Sequence, residues 1–442
     1  MNSLKKKGEE EEINYYLMME KGAELLQELN ENKFFHFQFS LLQTLIENFP
    51  TKSSVEKAAQ TEESASKSES NEAEITKIIK NIIKKCGQLK NEEEFEKFIE
   101  KFIENIKSAE EEKRKYQIEI FQGMFEKIEE NEKELIKKIV IKFYELEKNL
   151  KKKNQTEING IYMSALEKLE IDEFLEIISV DLFNDNEKSG ENKKIERIFY
   201  LLKQSNLNSS FEYFKNKILP KIQEISEEIE KIQEKIANME ENSKKKKKSE
   251  EKEKKQFLEL KKQIKSKKHK ILKYWELFIG IAGYAKDVQS NFSKMAPLLG
   301  KQLTASKKLS KTICQGLNNL IWVNYKTANP SARCIIHHFN EEFPVNTERV
   351  SVERATDNLA EIAKFSKNFL PILFNLFSNF NKKEKKTDFP QICLRLIANF
   401  LSICPIQVPL PFYWLFSFFI YVFFRDLGEL DVCRWWMVSV LI

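Results

Sequence analysis

The densest chemistry in this sequence is cationic. Lys244, Lys245, Lys246, Lys247 and Lys248 form an unbroken run, and Lys252, Lys254, Lys255, Lys261, Lys262, Lys265, Lys267, Lys268 and Lys270 follow close behind. Ammonium groups at this density can neutralise phosphates, release condensed counterions and bind with an affinity that falls steeply with salt. The same run has the form of a nuclear-import signal. A third reading is a solvated helix face, because Glu250, Glu251 and Glu253 cancel part of the field. The lysine run itself carries no aromatic stacking partner. Any contact with RNA there would therefore be electrostatic and tolerant of shape rather than sequence-reading.

Other reactive groups make weaker patterns. Cys334-x-x-His337-His338 resembles half of a metal site, but zinc takes about four ligands and no second CxxC or HxxxH pair exists. A packed cysteine beside two surface histidines is the plainer reading, and no metal or cofactor is expected. Gly280-x-x-Gly283 lacks a following GK[ST] and so is no phosphate loop. It is better read as the end or a bend of the helix carrying Trp275. No GxSxG, HExxH or kinase signature occurs, and nothing singles out a catalytic pair of carboxylates. The sequence points to a protein that is not an enzyme.

The elements that must carry these residues are helices. The chain has 442 residues, with 11 Gly and 10 Pro, and 41% hydrophobic and 12% aromatic residues. Tight β-turns and Gly-rich nucleotide loops need more Gly and Pro than that, while the apolar content suffices for a core. Eight of the ten prolines lie from Pro297 onward. The formal net charge is only +5, from 73 Lys+Arg against 68 Asp+Glu. Lys, Asn, Ile and Phe usage suggests an AT-rich genome, which discounts the lysine signal. Six scattered cysteines without a framework read as reduced thiols, and the N-terminus lacks the apolar core of a signal peptide. Both point to the cytosol or nucleus.

Spacing along the chain supports an all-α reading. Ile75, Ile78, Ile79, Ile82 and Ile83, then Phe95, Phe98, Ile99, Phe102 and Ile103, step by three and four residues, the stripe of an amphipathic helix. Ile222, Ile225, Ile229, Ile232, Ile236 and Met239 continue the pattern for about three heptads. Residues 222–270 read as a protruding helical hairpin or a helix extended by an insertion. Trp275, Phe278 and Ile281 share a face, and Leu359, Ile362, Phe365, Phe369, Ile372, Leu373 and Leu376 mark a long helix kinked at Pro371. Helices of this length joined by short polar turns are what a HEAT/armadillo-like α-solenoid requires, here with a long charged, coiled-coil-like helical insertion. The expected organisation is a helical segment over 1–50, a flexible linker over 51–73 and a helical region over 74–155. A helical-repeat region follows over 156–404 with its charged insertion at about 222–270, then an apolar tail over 405–442.

Three ordered blocks resemble a known family. They are Phe365–Leu376 (FSKNFLPILFNL); Trp275-Glu-Leu with Asp287-Val, Phe292, Leu299-Gly300 and Cys314-Gln-Gly-Leu-Asn-Asn-Leu-Ile321; and Tyr200-Leu-Leu-Lys through Phe211-x-x-Phe-x-x-x-Ile-Leu-Pro220. Together they resemble the central region of the ribosomal RNA-processing protein 12 family of HEAT-repeat assembly factors, over roughly residues 160–404. The family's proline ahead of the aspartate is absent at Ala285-Lys286-Asp287, and the resemblance ends after Cys404. What it implies is a non-catalytic scaffold of ribosome biogenesis in the nucleus and nucleolus, serving pre-rRNA processing and subunit maturation and export. Implied partners are pre-ribosomal particles, pre-rRNA, assembly factors and the nuclear-transport GTPase. A karyopherin-like transport adaptor on the same architecture is an alternative.

The tail invites a different function. Ile406–Phe424 is 19 residues without a charge, close to the length that spans a bilayer core of ~30 Å. Pro409 and Pro411 shorten the clean helical run. A membrane anchor, making the chain a tail-anchored trafficking adaptor, stands beside a buried terminal helix and a translated intron or frameshift.

Overall fold

The structure is a computed structural model. It describes residues 92–108, 132–149, 155–180, 189–243, 250–330, 345–380 and 387–404, with Leu182 and separate positions between 114 and 128. Among the described residues there is no strand. The chain divides into two units, Met1–Leu182 and Phe183–Ile442. The expectations for 1–50, the linker 51–73 and the tail 405–442 lie outside the described residues.

In the first unit, α1 (Glu92–Ser108), α2 (Lys133–Asn149), α3 (Gln155–Leu166) and α4 (Ile171–Ile177) pack on one another. The Phe-Ile stripe read from the sequence is the reason. Ile99, Phe102, Ile103 and Ile106 are buried, and Phe102 stacks on Phe121 at 5.0 Å, which meets Phe143 of α2 at 4.8 Å. Burying such side chains stabilises by about 1.5–3 kcal/mol each, offset by the entropy of ordering them. At the other end Tyr162 packs edge-on to Phe174 and donates its hydroxyl to Glu147 at 2.7 Å.

The second unit begins with α5 (Ser189–Gln204). A turn at Phe211–Tyr213 and a π-helical stretch, Phe214–Ile218, then lead into α6 (Leu219–Ser243). Pro220 explains the π stretch. It has no N–H to give and its ring clashes with the carbonyl four residues back, so the helix widens just before it, and Leu219 N–H bonds to Phe214 O instead. After α7 (Glu250–Ala282) come α8 (Val288–Ala305), α9 (Lys307–Ala328), a 3₁₀ turn at Thr347–Arg349, α10 (Val352–Ala363), α11 (Ser366–Ser378) and α12 (Phe389–Ile403). Helix α9 is the central post, packed against α7, α8, α10 and α12. Its start is capped by Ser306, and α10 is capped by Ser351, each accepting from the backbone N–H three residues on.

Two boundaries differ from the periodicity reading. The stripe from Leu359 to Leu376 is not one helix, since α10 stops at Ala363 and α11 starts at Ser366. The break lets Phe365 set its ring edge-on to Phe292 at 5.4 Å while Phe369, one turn on, reaches the same ring at 6.4 Å. Pro371 lies within α11. Conversely, α7 runs without interruption from the charged segment through Trp275, so the change in composition near residue 270 is no change in structure. It ends at Ala282, where Gly283 follows, as the glycine pair suggests.

The three sequence blocks meet in one aromatic spine. Trp275 packs on Phe214 at 5.3 Å, Phe214 on Phe278 at 5.8 Å, Phe278 on Phe211 at 6.0 Å and Phe211 on Phe292 at 6.2 Å. Phe369 joins Phe292 and stacks on Phe400 at 5.2 Å. The aromatic residues of the blocks that form this spine are therefore packing residues: Phe211, Phe214, Trp275, Phe278, Phe292 and Phe369 are all buried.

Candidate nucleic-acid interface

Helices α6 and α7 form an antiparallel hairpin. They are joined by only a few residues and pack together, and Ile222, Ile225, Ile229 and Ile232 are buried in the seam. Lys267 on α7 ties across to Glu228 on α6 at 2.6 Å. Of the lysines singled out from the sequence, Lys244, Lys245, Lys246, Lys247 and Lys248, and the side chains of Lys252 and Lys254, lie outside the described residues. The others sit on α7 in two settings. Lys267 and Lys270 are half-buried, Lys267 in its ion pair and Lys270 with its ammonium 5.8 Å from the Tyr274 ring. Lys261, Lys262, Lys265 and Lys268 are exposed to solvent. Lys261 lies over the ring of Phe257 at 4.0 Å, and Lys262 comes only within 4.0 Å of Glu259. For Lys265 and Lys268 no carboxylate among the described residues lies within ion-pair range.

At the base of the hairpin two ion pairs are partly buried. Lys203 pairs with Glu276 at 3.0 Å, and Lys273 pairs with Glu196 beside the Phe199 ring. Burial pushes the Lys273 ammonium below its ordinary pKa, and neighbouring Glu276 only partly restores it.

Hydrogen bonds that the sequence does not announce hold this region together. Asp287 accepts from the backbone N–H of Phe211 at 2.7 Å and of Glu212 at 2.9 Å, and from the Asn291 side chain at 2.7 Å. With Ser210 accepting from Tyr213 N–H, the first donors of the Phe211 turn are satisfied. Asparagines of α9 do the same for other contacts. Asn318 donates to Ile392 O and accepts from Asn399; Asn319 donates to Ile279 O; Asn324 accepts from Asn358. Asn318 and Asn319 lie inside Cys314-Gln-Gly-Leu-Asn-Asn-Leu-Ile321, where polar residues in an otherwise apolar stripe are the signal the sequence offers. Cys314 and Cys393 are buried free thiols, and burial followed by its contact with Cys393 raises the Cys314 pKa well above the usual value. Cys334, His337 and His338 lie outside the described residues; among the described residues no three His, Cys, Asp or Glu groups converge on a metal position. No described helix is long and apolar enough to cross a membrane, and Ile406–Phe424 lies outside the described residues.

The comparisons with known proteins point to the family that the ordered blocks resemble. The family model for ribosomal RNA-processing protein 12, HEAT repeats, matches residues 60–246 and 239–380. An RRP12-like protein of Gallus gallus is 31% identical over 117 residues, covering 26% of this chain and 7% of that protein. An RRP12-like protein of Homo sapiens is 29% identical over 116 residues, again 26% of this chain and 7% of the relative. The matched stretch is thus a small fraction of either relative's length. A solved engineered protein overlaps 87% of this chain and 95% of its own at 14% identity, with a TM-score of 0.23, too low to bear on the fold. The all-α HEAT-type solenoid expected from the periodicity agrees with the family matched. With that match running over most of its length, the chain belongs to the ribosomal RNA-processing protein 12 HEAT-repeat family.

Proposed function

We propose that this chain is a non-catalytic helical-repeat scaffold of ribosome biogenesis, acting in the nucleus and nucleolus on pre-rRNA processing and on subunit maturation and export. The observation that carries this reading is the family match over residues 60–380, together with burial of its signature residues in one spine. A fold whose recognisable aromatic residues are spent on packing does its work through its surface. The mechanism is physical. Stacked helices present an extended face, basic residues hold RNA backbone, and the assembling particle is kept in a shape competent for cleavage or export. Partners on this reading are pre-ribosomal particles, pre-rRNA, assembly factors and the nuclear-transport GTPase.

The test is sedimentation of a tagged chain in low-salt gradients. Co-migration with pre-ribosomal particles, lost after nuclease treatment, is the expected result. A chain that sediments apart from those particles at low salt ends this reading.

A further inference from the structure

The hairpin is divided by charge between its arms. Helix α6 carries exposed Glu227, Glu230 and Glu234 with few lysines between them, whereas Glu259 is the one carboxylate between Lys255 and Lys273 on α7. Lys261, Lys265 and Lys268 follow one another at four- and three-residue steps, which puts them on one face of the helix. Lys262 lies beside them, and Lys255 extends the stripe, for a length of about 20 Å at ~1.5 Å per residue. Lys267 points the other way, into its pair with Glu228. The stripe is rigid as well as charged, because the aliphatic seam and that ion pair hold α7 along its length.

We propose that the outward face of α7 formed by Lys261, Lys262, Lys265 and Lys268 docks the phosphate backbone of double-helical RNA, with Lys267 and all of α6 taking no part. The choice of RNA among polyanions rests on the ribosome-assembly reading; the choice of face and of duplex does not. Proteins that hold single strands stack bases on exposed aromatic rings. On this stripe Phe257 is covered by the Lys261 ammonium, Tyr274 is buried, and the exposed apolar residue is Leu258, which has no π-face. A straight cationic rod without a stacking platform fits a regular array of phosphates, recognised by shape and charge. The acidic outer face of α6 repels the same backbone and fixes which side of the hairpin faces it.

The experiment measures binding of the full chain to a fluorescent RNA duplex of roughly 16 base pairs and to one of its single strands, across a salt series. The expected result is tighter binding to the duplex. In K261A/K265A/K268A, affinity at low salt falls at least about tenfold and the slope of log K against log salt drops by about 3. Alanine keeps the helix, so circular dichroism stays unchanged. K221A/K231A/K235A on α6 leaves both quantities as in the parent. The proposal is overturned if the α7 variant keeps its affinity and slope, if the α6 variant loses as much, or if the single strand binds more tightly. It is also overturned if the α7 variant loses capture by an import receptor while duplex affinity is untouched, which would make the stripe an import signal. Failure of the assembly reading looks different: the chain binds duplex RNA through α7 yet sediments away from pre-ribosomal particles.

Discussion

Asn399 donates its side-chain amide to the Asn318 side-chain oxygen at 2.8 Å, and both residues are buried. The bond joins α12 to α9, and Asn318 uses its own amide on Ile392 O at 3.0 Å. In an apolar interior these bonds count because the alternative is an unpaired polar group. They hold α12 at one position along α9, which leucines alone would leave free to slide.

Replacing Asn399 with Ala leaves the Asn318 oxygen without that donor. A loss of about 1–3 kcal/mol is expected, seen as faster amide exchange in α9 and α12. The double variant N318A/N399A should lose less than the sum of the two single changes, since the pair acts as a unit. Additive losses would show that the two residues do not act together.

The Asp287 carboxylate bonds two backbone amides of another helical turn, one with each oxygen. Asparagine has a single acceptor oxygen, so D287N should restore only part of what D287A removes. The loss for D287A is about 1–3 kcal/mol, as for other charged groups at helix starts. Amide exchange at Phe211 and Glu212 is the local readout, and both amides should lose protection in D287A.

Gly280 lies closest against main chain. A Cβ there would collide with the carbonyl oxygens of Leu202 and Ser205, and Leu207 N–H bonds to Gly280 O at 3.0 Å. Backbone cannot swing aside as a side chain can, so G280A should cost about 1–3 kcal/mol or more. G123A makes the comparison, because nothing lies within 4 Å of a Cβ at that position. Thermal unfolding of the two variants should separate them clearly.

Glu173 is held by Lys137 at 3.1 Å and Lys133 at 3.3 Å. Partial burial pulls its carboxyl up, but the Glu170 N–H and the two ammonium groups outweigh this and set its pKa below the ordinary value. A lowered folded pKa means stability that is present above the unfolded pKa, about 4.3, and is lost as pH falls through the folded value. E173Q should therefore be less stable than the parent near neutrality, by less than about 1 kcal/mol because the site is partly solvated. The gap should close on acidification and shrink with added salt. Amide exchange in α2 and α4 at several pH values gives the comparison.

Much of this was legible in the residues themselves. Helix is dictated locally, by apolar positions at three- and four-residue steps and by scarce Gly and Pro, so Ile222 to Ile232 and Ile99 to Ile103 announce their buried faces in the chain alone. The ordered blocks around Phe211, Trp275 and Phe369 also identify the family without coordinates. The lysines of 261–270 announce charge in the same way, but not direction.

Direction depends on contacts between residues far apart in the chain, and these only the folded structure settles. Lys267 and Lys268 are neighbours in sequence, yet one turns to Glu228 and the other to solvent, because α6 covers a single face of α7. Phe365 sits in the turn between two helices, where its ring meets that of Phe292. Asp287 serves a turn 76 residues earlier as well as Asn291 of the helix it precedes. Periodicity determined which residues form helices and which of their faces are apolar; packing in three dimensions decided which partner each face meets and which lysines are left to meet something else.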